Sequence, residues 1–436
     1  MKKIGILIVM LFLILLIAGC AQQQAPAQPK EIKIGAVVST TGPFSNLGRD
    51  MLQAAEFAAD EINAQGGVYI KEFNAKVPIK IIAGDEESTQ EGGQKAVTKL
   101  ILSDNVDILV GGYSSALVPV QEPIVLEHKV TYIISGASNP IVTRRTDIDT
   151  SYFFHHCPTT TDYGRITTLF IDQFIRPEVN AKFNFSSERP LRLAVLYVDN
   201  AFGQGVIAAV NNTVSDPNLK TQLVTQKGYA RTDTDFRTQL TAVKADKPDV
   251  VYLASDPDSS VMIVSQARRE IGLDVIFVLV ENNEDPIYYT GVKEFGDHSI
   301  VESRYSPYLA PKDVAAANEK YKAAYKAKYG TLPGMMATST YEAVYIAAKA
   351  IENAGTLNKS AIRDAVANLQ MPQLVESMVN GTISFSKDYH ECKFNHFMVQ
   401  LHWNETAGIL KPTVIWPDNL KEADFELPSW YTPGSA

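Results

Sequence analysis

Short, dense apolar runs alternate with stretches whose apolar residues recur at helical spacing, and this rhythm covers nearly the whole chain. Ile32 to Val38, Val77 to Ala83, Val106 to Val110 and Val130 to Ser135 read as buried strands. Between them, Arg49 to Asn63 carries Leu52, Ala55, Ala58 (or Ala59) and Ile62 on one helical face, and Gln65-Gly66-Gly67 stops it. Thr89 to Leu102 is a second helix, and a third opens near Ala116. Strands that are apolar on both faces and joined by helices predict a doubly wound α/β lobe with a parallel sheet.

The rhythm then restarts. Asp162 to Phe174 reads as a helix, Leu191 to Val198 as a strand and Phe202 to Val214 as a helix. Gln222 to Lys227, Val250 to Ala254 and Val275 to Val280 are further strands, with helices at Asp235 to Ala245 and Ser259 to Glu270. A second α/β lobe in tandem follows from this. Helices are expected at Lys312 to Tyr329, Thr338 to Asn353 and Lys359 to Leu369, and strands at Gly381 to Phe385 and Asn395 to Trp403. The polar insertion Asn180 to Arg189 reads as a surface loop.

The first 30 residues do not fit this rhythm. Met1-Lys2-Lys3 precedes an apolar run from Ile4 to Ala18, which ends in Gly19-Cys20. A basic start, an apolar stretch and small residues before a processing point read as a secretory signal over 1–19. Cysteine after Ala-Gly resembles the bacterial lipobox, with Cys20 lipidated and 20–30 a Gln/Ala/Pro tether. An uncleaved anchor is the alternative, although the run is short for the ~20 residues of a bilayer span. Either way the folded part faces outward. Some 400 residues remain, more than one core usually covers. The net charge is −9 and no basic stripe stands out, which argues against a nucleic-acid partner. After Cys20 only Cys157 and Cys392 remain, enough for one bridge but not for a disulfide scaffold or a structural zinc site. No metal or other cofactor is expected.

Open α/β sheets bind ligands beyond the carboxyl ends of their strands. Gly111-Gly112-Tyr113-Ser114-Ser115 occupies one such end, and Ser135-Gly136-Ala137-Ser138-Asn139-Pro140 the next. Glycines let a backbone approach a ligand, and hydroxyls with free amides suit a carboxylate. Each loop read singly is equally a capped turn. In the second lobe, Phe202 either covers an apolar ligand part or staples its helix, and Asp256 either faces the cleft or caps the following helix. Glu281 and Asn282 open an acidic loop that would suit an amine. Hydroxyls in lobe 1 and acids in lobe 2 would together clamp an α-amino acid zwitterion.

Several segments then carry a family resemblance. They are Ile32-Lys33-Ile34-Gly35-Ala36 with Thr41-Gly42-Pro43, Ala58 through Val68, Val106 through Ser115 with Pro119, Tyr197 through Gly205, and Gln266 through Leu273. In order and spacing the chain resembles the solute-binding proteins of branched-chain amino acid ABC transporters, of the periplasmic-binding-protein type I group. The resemblance implies two lobes joined by three crossovers and closing on ligand: 31–157 with about 286–375, and 158–285 with about 376–436. It implies ligand contacts from Ser114 or Ser115, from Ala137 and Ser138, from Phe202 (often tyrosine in relatives), and from Glu281 as the amine-binding acid. Tyr113, Asp256 and Asn282 complete the expected set. The ligand would be an amino acid or related solute, with urea, amides or an amine-free carboxylate as alternatives. The partners would be ABC permease subunits and, through the lipid, a membrane; a sensing role is the rival. A monomer or weak dimer is expected. Cys157 and Cys392 lie near predicted crossovers, either bridged or as buried thiols. No G-x-S-x-G elbow surrounds the serines, so no enzyme is expected.

Overall fold

The computed structural model describes residues 28–434. The expected signal segment, Cys20 and most of the expected tether lie outside the described residues. Five strands build the first sheet: β1 (Ile32–Val38), β2 (Ile79–Asp85), β3 (Ile108–Gly111), β4 (Thr131–Ile134) and β5 (Phe153–His155). Their order is β2-β1-β3-β4-β5, and every pairing is parallel. β3 and β4 are buried at every position, as expected of strands covered by helices on both faces. Helices α1 (Ser45–Ala64), α2 (Gln90–Leu102) and α3 (Val118–Glu127) cover this sheet. α1 begins earlier than its periodicity predicts, because Gly48 packs against the Ser39 carbonyl, where a side chain would clash at 1.9 Å.

The second sheet has seven strands: β6 (Leu191–Val198), β7 (Thr221–Tyr229), β8 (Val250–Ala254), β9 (Ile276–Leu279), β10 (Ile300–Ser303), β11 (Phe397–Asn404) and β12 (Ile409–Trp416). Their order is β12-β11-β10-β9-β8-β6-β7. β6 to β10 pair in parallel, whereas β11 and β12 add an antiparallel edge. The helices of this lobe are α4 (Thr160–Phe170), α5 (Ala201–Val214), α6 (Arg237–Ala245), α7 (Pro257–Gln266) and α8 (Pro286–Gly291). A reciprocal capping box between Thr159 and Asp162 fixes the start of α4 at the first crossover. Helical backbone continues from α4 to Lys182, so the expected loop over 180–189 starts late, and Asn180 is buried with Nδ2 donating to the Arg189 carbonyl.

The chain passes between lobes three times: after β5, after β10 and before β11. Between the second and third passages, α9 (Ala315–Tyr329), α10 (Met335–Ala354) and α11 (Lys359–Ala367) return to the first lobe. α10 is buried on nearly all sides and packs along α1. The expected boundaries near 286 and 376 are therefore misplaced. β10 hydrogen-bonds β9 in the second sheet, and Met378, Ile383, Phe385, Cys392 and Phe394 pack in the first lobe's core. The expected strand at 381–385 shrinks to Thr382–Ile383, paired with Met371–Pro372 in a small separate ribbon. Cys157 and Cys392 are free, buried thiols, which corrects the bridged alternative.

Candidate functional site

The carboxyl ends of both sheets face one another across a cleft, and the cleft encloses a cavity of about 30 Å³. That volume holds about two water centres, so the lobes stand nearly closed. Lobe 1 lines it with Phe44, Tyr113, Ser114, Ser115, Gly136, Ser138 and Met336; lobe 2 does so with Tyr163, Asn200, Phe202, Asp256, Val280, Glu281 and Asn282. Of the residues expected from the sequence, eight reach the cavity. Ala137 does not: it is buried in the core beside β4, and its carbonyl accepts from His155 Nε2 at 2.5 Å.

Each serine is placed by its strand end. Gly111 and Gly112, with φ of 104° and 73°, turn the chain sharply after β3. Ser114 Oγ then accepts from the Ala116 amide (3.3 Å), and Ser115 Oγ accepts from the Asn139 amide (3.0 Å). With acceptor lone pairs so used, each O–H remains to donate. Ser138 Oγ is buried and, among the described residues, has no partner. This wall therefore offers hydroxyl donors to an oxyanion. No histidine among the described residues hydrogen-bonds these serines: His155 is held by Ala137, and His156 Nε2 lies 2.9 Å from Glu342. Among the described residues, these serines therefore have no histidine base of the kind a nucleophilic serine requires.

The opposite wall differs from the sequence expectation. Asp256 occupies the cap position of α7 but makes no side-chain cap; it turns into the cleft. Its Oδ1 accepts from the Tyr113 hydroxyl of the other lobe, and its Oδ2 lies 2.7 Å from Arg231 Nε. Burial first, then the Asp256 charge, pushes the Tyr113 phenol well above its ordinary value. Arg231 also lies 5.4 Å over the Phe44 ring and donates to the Pro43 carbonyl, tying the mouth of the cleft together. Asn139 Nδ2 reaches across to the Ala201 carbonyl at 2.6 Å. Phe202 lines the cavity just inside α5, whose start is fixed by Asn200 Oδ1 accepting from the amides of residues 202 and 203.

Glu281 is wholly buried. Both its oxygens accept from Arg304 Nη1, at 2.6 and 2.8 Å, and Oε1 also accepts from the Tyr163 hydroxyl. Arg304 follows β10 at the second crossover and continues to Glu376 (3.2 Å) and Ser339 (2.7 Å) of lobe 1. Burial alone would lower its pKa, but Glu281 and Glu376 outweigh that and hold the guanidinium charged. Behind it, His156 lies between Glu342 (2.9 Å) and Glu376 (3.4 Å). Charges thus alternate from the cavity wall into the hinge: Glu281, Arg304, Glu376, His156, Glu342. Sequence reasoning missed Phe44, Tyr163, Asn200 and Met336 in the lining, and Arg231 and Arg304 behind it. Phe44 follows the Thr41-Gly42-Pro43 loop, a strand end that carried no chemical signal of its own.

Comparison with known proteins fits this geometry. A profile described as "Periplasmic binding protein" matches residues 31–407. The Leu/Ile/Val-binding protein homolog 7 of Brucella abortus (strain 2308) is 24% identical over 423 residues, covering 95% of this chain and 99% of that protein. The LivJ substrate-binding protein of Streptococcus pneumoniae, solved with isoleucine, superposes with a TM-score of 0.71 at 21% identity, over 88% of this chain and 100% of its own. A solute-binding protein of Rhodopseudomonas palustris BisB5, solved with 3,4-dihydroxybenzoic acid, gives 0.71 at 19% identity, over 88% and 97%.

Proposed function

From the premise that the chain belongs to the periplasmic binding protein family, we propose that it captures a small carboxylate-bearing solute between its lobes and delivers it to the permease of an ABC transporter. The observation that carries this reading is the hydroxyl wall of Ser114, Ser115 and Ser138 at the carboxyl end of the first sheet, facing aromatic side chains across a closable cleft. Contacts from both lobes exist only when the lobes meet, so ligand bound to both favours the closed state. Relatives support the ligand's general chemistry: LivJ is solved with isoleucine, and the R. palustris protein with an aromatic acid. Both are small carboxylates with apolar bodies.

The leader supports a location outside the cytoplasm, with Cys20 as the lipid attachment and 20–30 as the tether. Among the described residues, no helix is long and apolar enough to cross a membrane. The permease would read the closed surface of the two lobes. Calorimetry against amino acids, amine-free acids and small amides tests the reading. Saturable binding of a carboxylate, lost when its methyl ester is used, is the expected result. Binding of neutral amides alone would overturn it.

A further inference from the structure

The two acids that line the cavity already have cationic partners, and this bears on the class of ligand. We propose, on the basis of the carboxylate-receptor reading above, that the solute carries a carboxylate and an apolar body but no ammonium group. An ammonium needs a carboxylate with unspent charge and a free lone pair. Glu281 is poorly placed to supply them: Oε1 accepts from Arg304 and Tyr163, and Oε2 accepts from Arg304, which leaves one acceptor site, on Oε2, directly beside the guanidinium. Asp256 accepts from Tyr113 through Oδ1, while its Oδ2 accepts no hydrogen bond among the described residues but is held in an ion pair with Arg231. The lining thus holds two carboxylates, each lying against a guanidinium, and arginine does not deprotonate in proteins. A ligand ammonium set against either acid would lie beside a fixed like charge, in a cavity with little water to screen it.

The surrounding acids share these cations or have partners of their own. Glu376 and Glu342 stand behind Arg304 and are engaged by His156; Glu342 Oε1 also accepts the amides of residues 375 and 376, each at 2.8 Å. Glu302 is taken by His396 (2.8 Å) and Thr167 (2.9 Å). Asp258 lies 3.8 Å from Arg231. Asp162 is spent on its capping box. The lobe 1 wall, by contrast, presents O–H donors, which suit a carboxylate. Phe44, Tyr113, Tyr163, Phe202, Val280 and Met336 supply the remaining surface, and it fits a branched aliphatic or aromatic body.

Matched pairs that differ only in the ammonium test the proposal on the full chain: 4-methylpentanoate against leucine, and 3-phenylpropanoate against phenylalanine, each by calorimetry. The acid of at least one pair is expected to bind at least about tenfold more tightly than its amino acid. An amino acid that binds as tightly as its acid in both pairs overturns the proposal and leaves the receptor reading standing. If neither member of either pair binds, nor any other carboxylate of the wider panel, the receptor reading falls and the proposal with it. Arg231 lies at the cleft mouth rather than in the core, and Arg231→Gln frees Asp256. It is expected to narrow the ratio between acid and amino acid, whereas Arg231→Lys keeps it. A ratio unmoved by Arg231→Gln contradicts the assigned role of the guanidinium partners.

Discussion

A single hydroxyl carries much of the proposed recognition. Ser115 Oγ is fixed by the Asn139 amide, so its proton is already aimed when a carboxylate arrives. Ser115→Ala is expected to weaken carboxylate binding by about 1.5–3 kcal/mol, the worth of a hydrogen bond to a charged group; calorimetry at constant pH measures it. Arg304 carries a different burden. Removing it leaves Glu281 and Glu376 buried without their shared cation. Arg304→Met should cost about 3–5 kcal/mol in urea unfolding, and adding Glu376→Gln should recover part of that loss. The serines were legible in the sequence because they follow glycines at the end of an apolar run. The arginines were not. Arg304 stands 23 residues from Glu281 and 72 from Glu376, and only the folded chain brings the three together. The sequence therefore offered Glu281 as a free acid, whereas the structure shows it paired.

Among the elements, α5 shows how tightly the lobes meet. A Cβ on Gly205 would lie 2.5 Å from Thr160 Oγ1 and 2.8 Å from Nδ2 of Asn139, the residue that crosses from lobe 1. Gly205→Ala should therefore strain both the packing of α5 on α4 within the second lobe and the contact with lobe 1, by about 1–3 kcal/mol in all, as overpacking does. The melting temperature of the free protein and the ligand affinity should both fall; a variant unchanged in both would contradict the tight fit. The central strands were legible as unbroken apolar runs, since both faces of a parallel sheet are covered. β10 was not, because Ile300–Ser303 has only two apolar residues beside Glu302 and Ser303. Missing it displaced the second crossover to 286. The edge strand β12 also went unread: exposed and half-buried positions break its apolar run.

At the scale of the whole molecule, closure brings acids of opposite lobes together. Asp50 of α1 and Asp285 at the start of α8 border the same seam between the lobes. Burial, and then the charge of Asp50, raises Asp285 from the usual 3.8 to about 7. Burial raises Asp50 as well, against hydrogen bonds from Tyr325 and the Gly334 amide. Between pH ~4 and ~7 the folded protein therefore binds more protons than the unfolded chain, and stability falls as pH rises through that window, by at most about 4 kcal/mol for Asp285. Asp285→Asn keeps the oxygen that caps the Ile287 amide and removes the charge. Urea unfolding from pH 4.5 to 8 should show a flatter profile for this variant and higher stability than wild type at pH 8; parallel profiles would contradict it. The plan of two lobes with three crossovers followed from the restart of the strand–helix rhythm together with the family resemblance. The seam acids did not, because Asp50 and Asp285 become neighbours only across the closed cleft. Recognition in the closed molecule rests on a carboxylate set against the hydroxyl wall. Electron density from the full chain crystallised with its tightest-binding acid tests this most directly. The carboxylate is expected among Ser114, Ser115 and Ser138, with the apolar body against Tyr163 and Phe202. A carboxylate turned toward lobe 2, or a ligand in the groove beside Phe174 and Trp416, would contradict it.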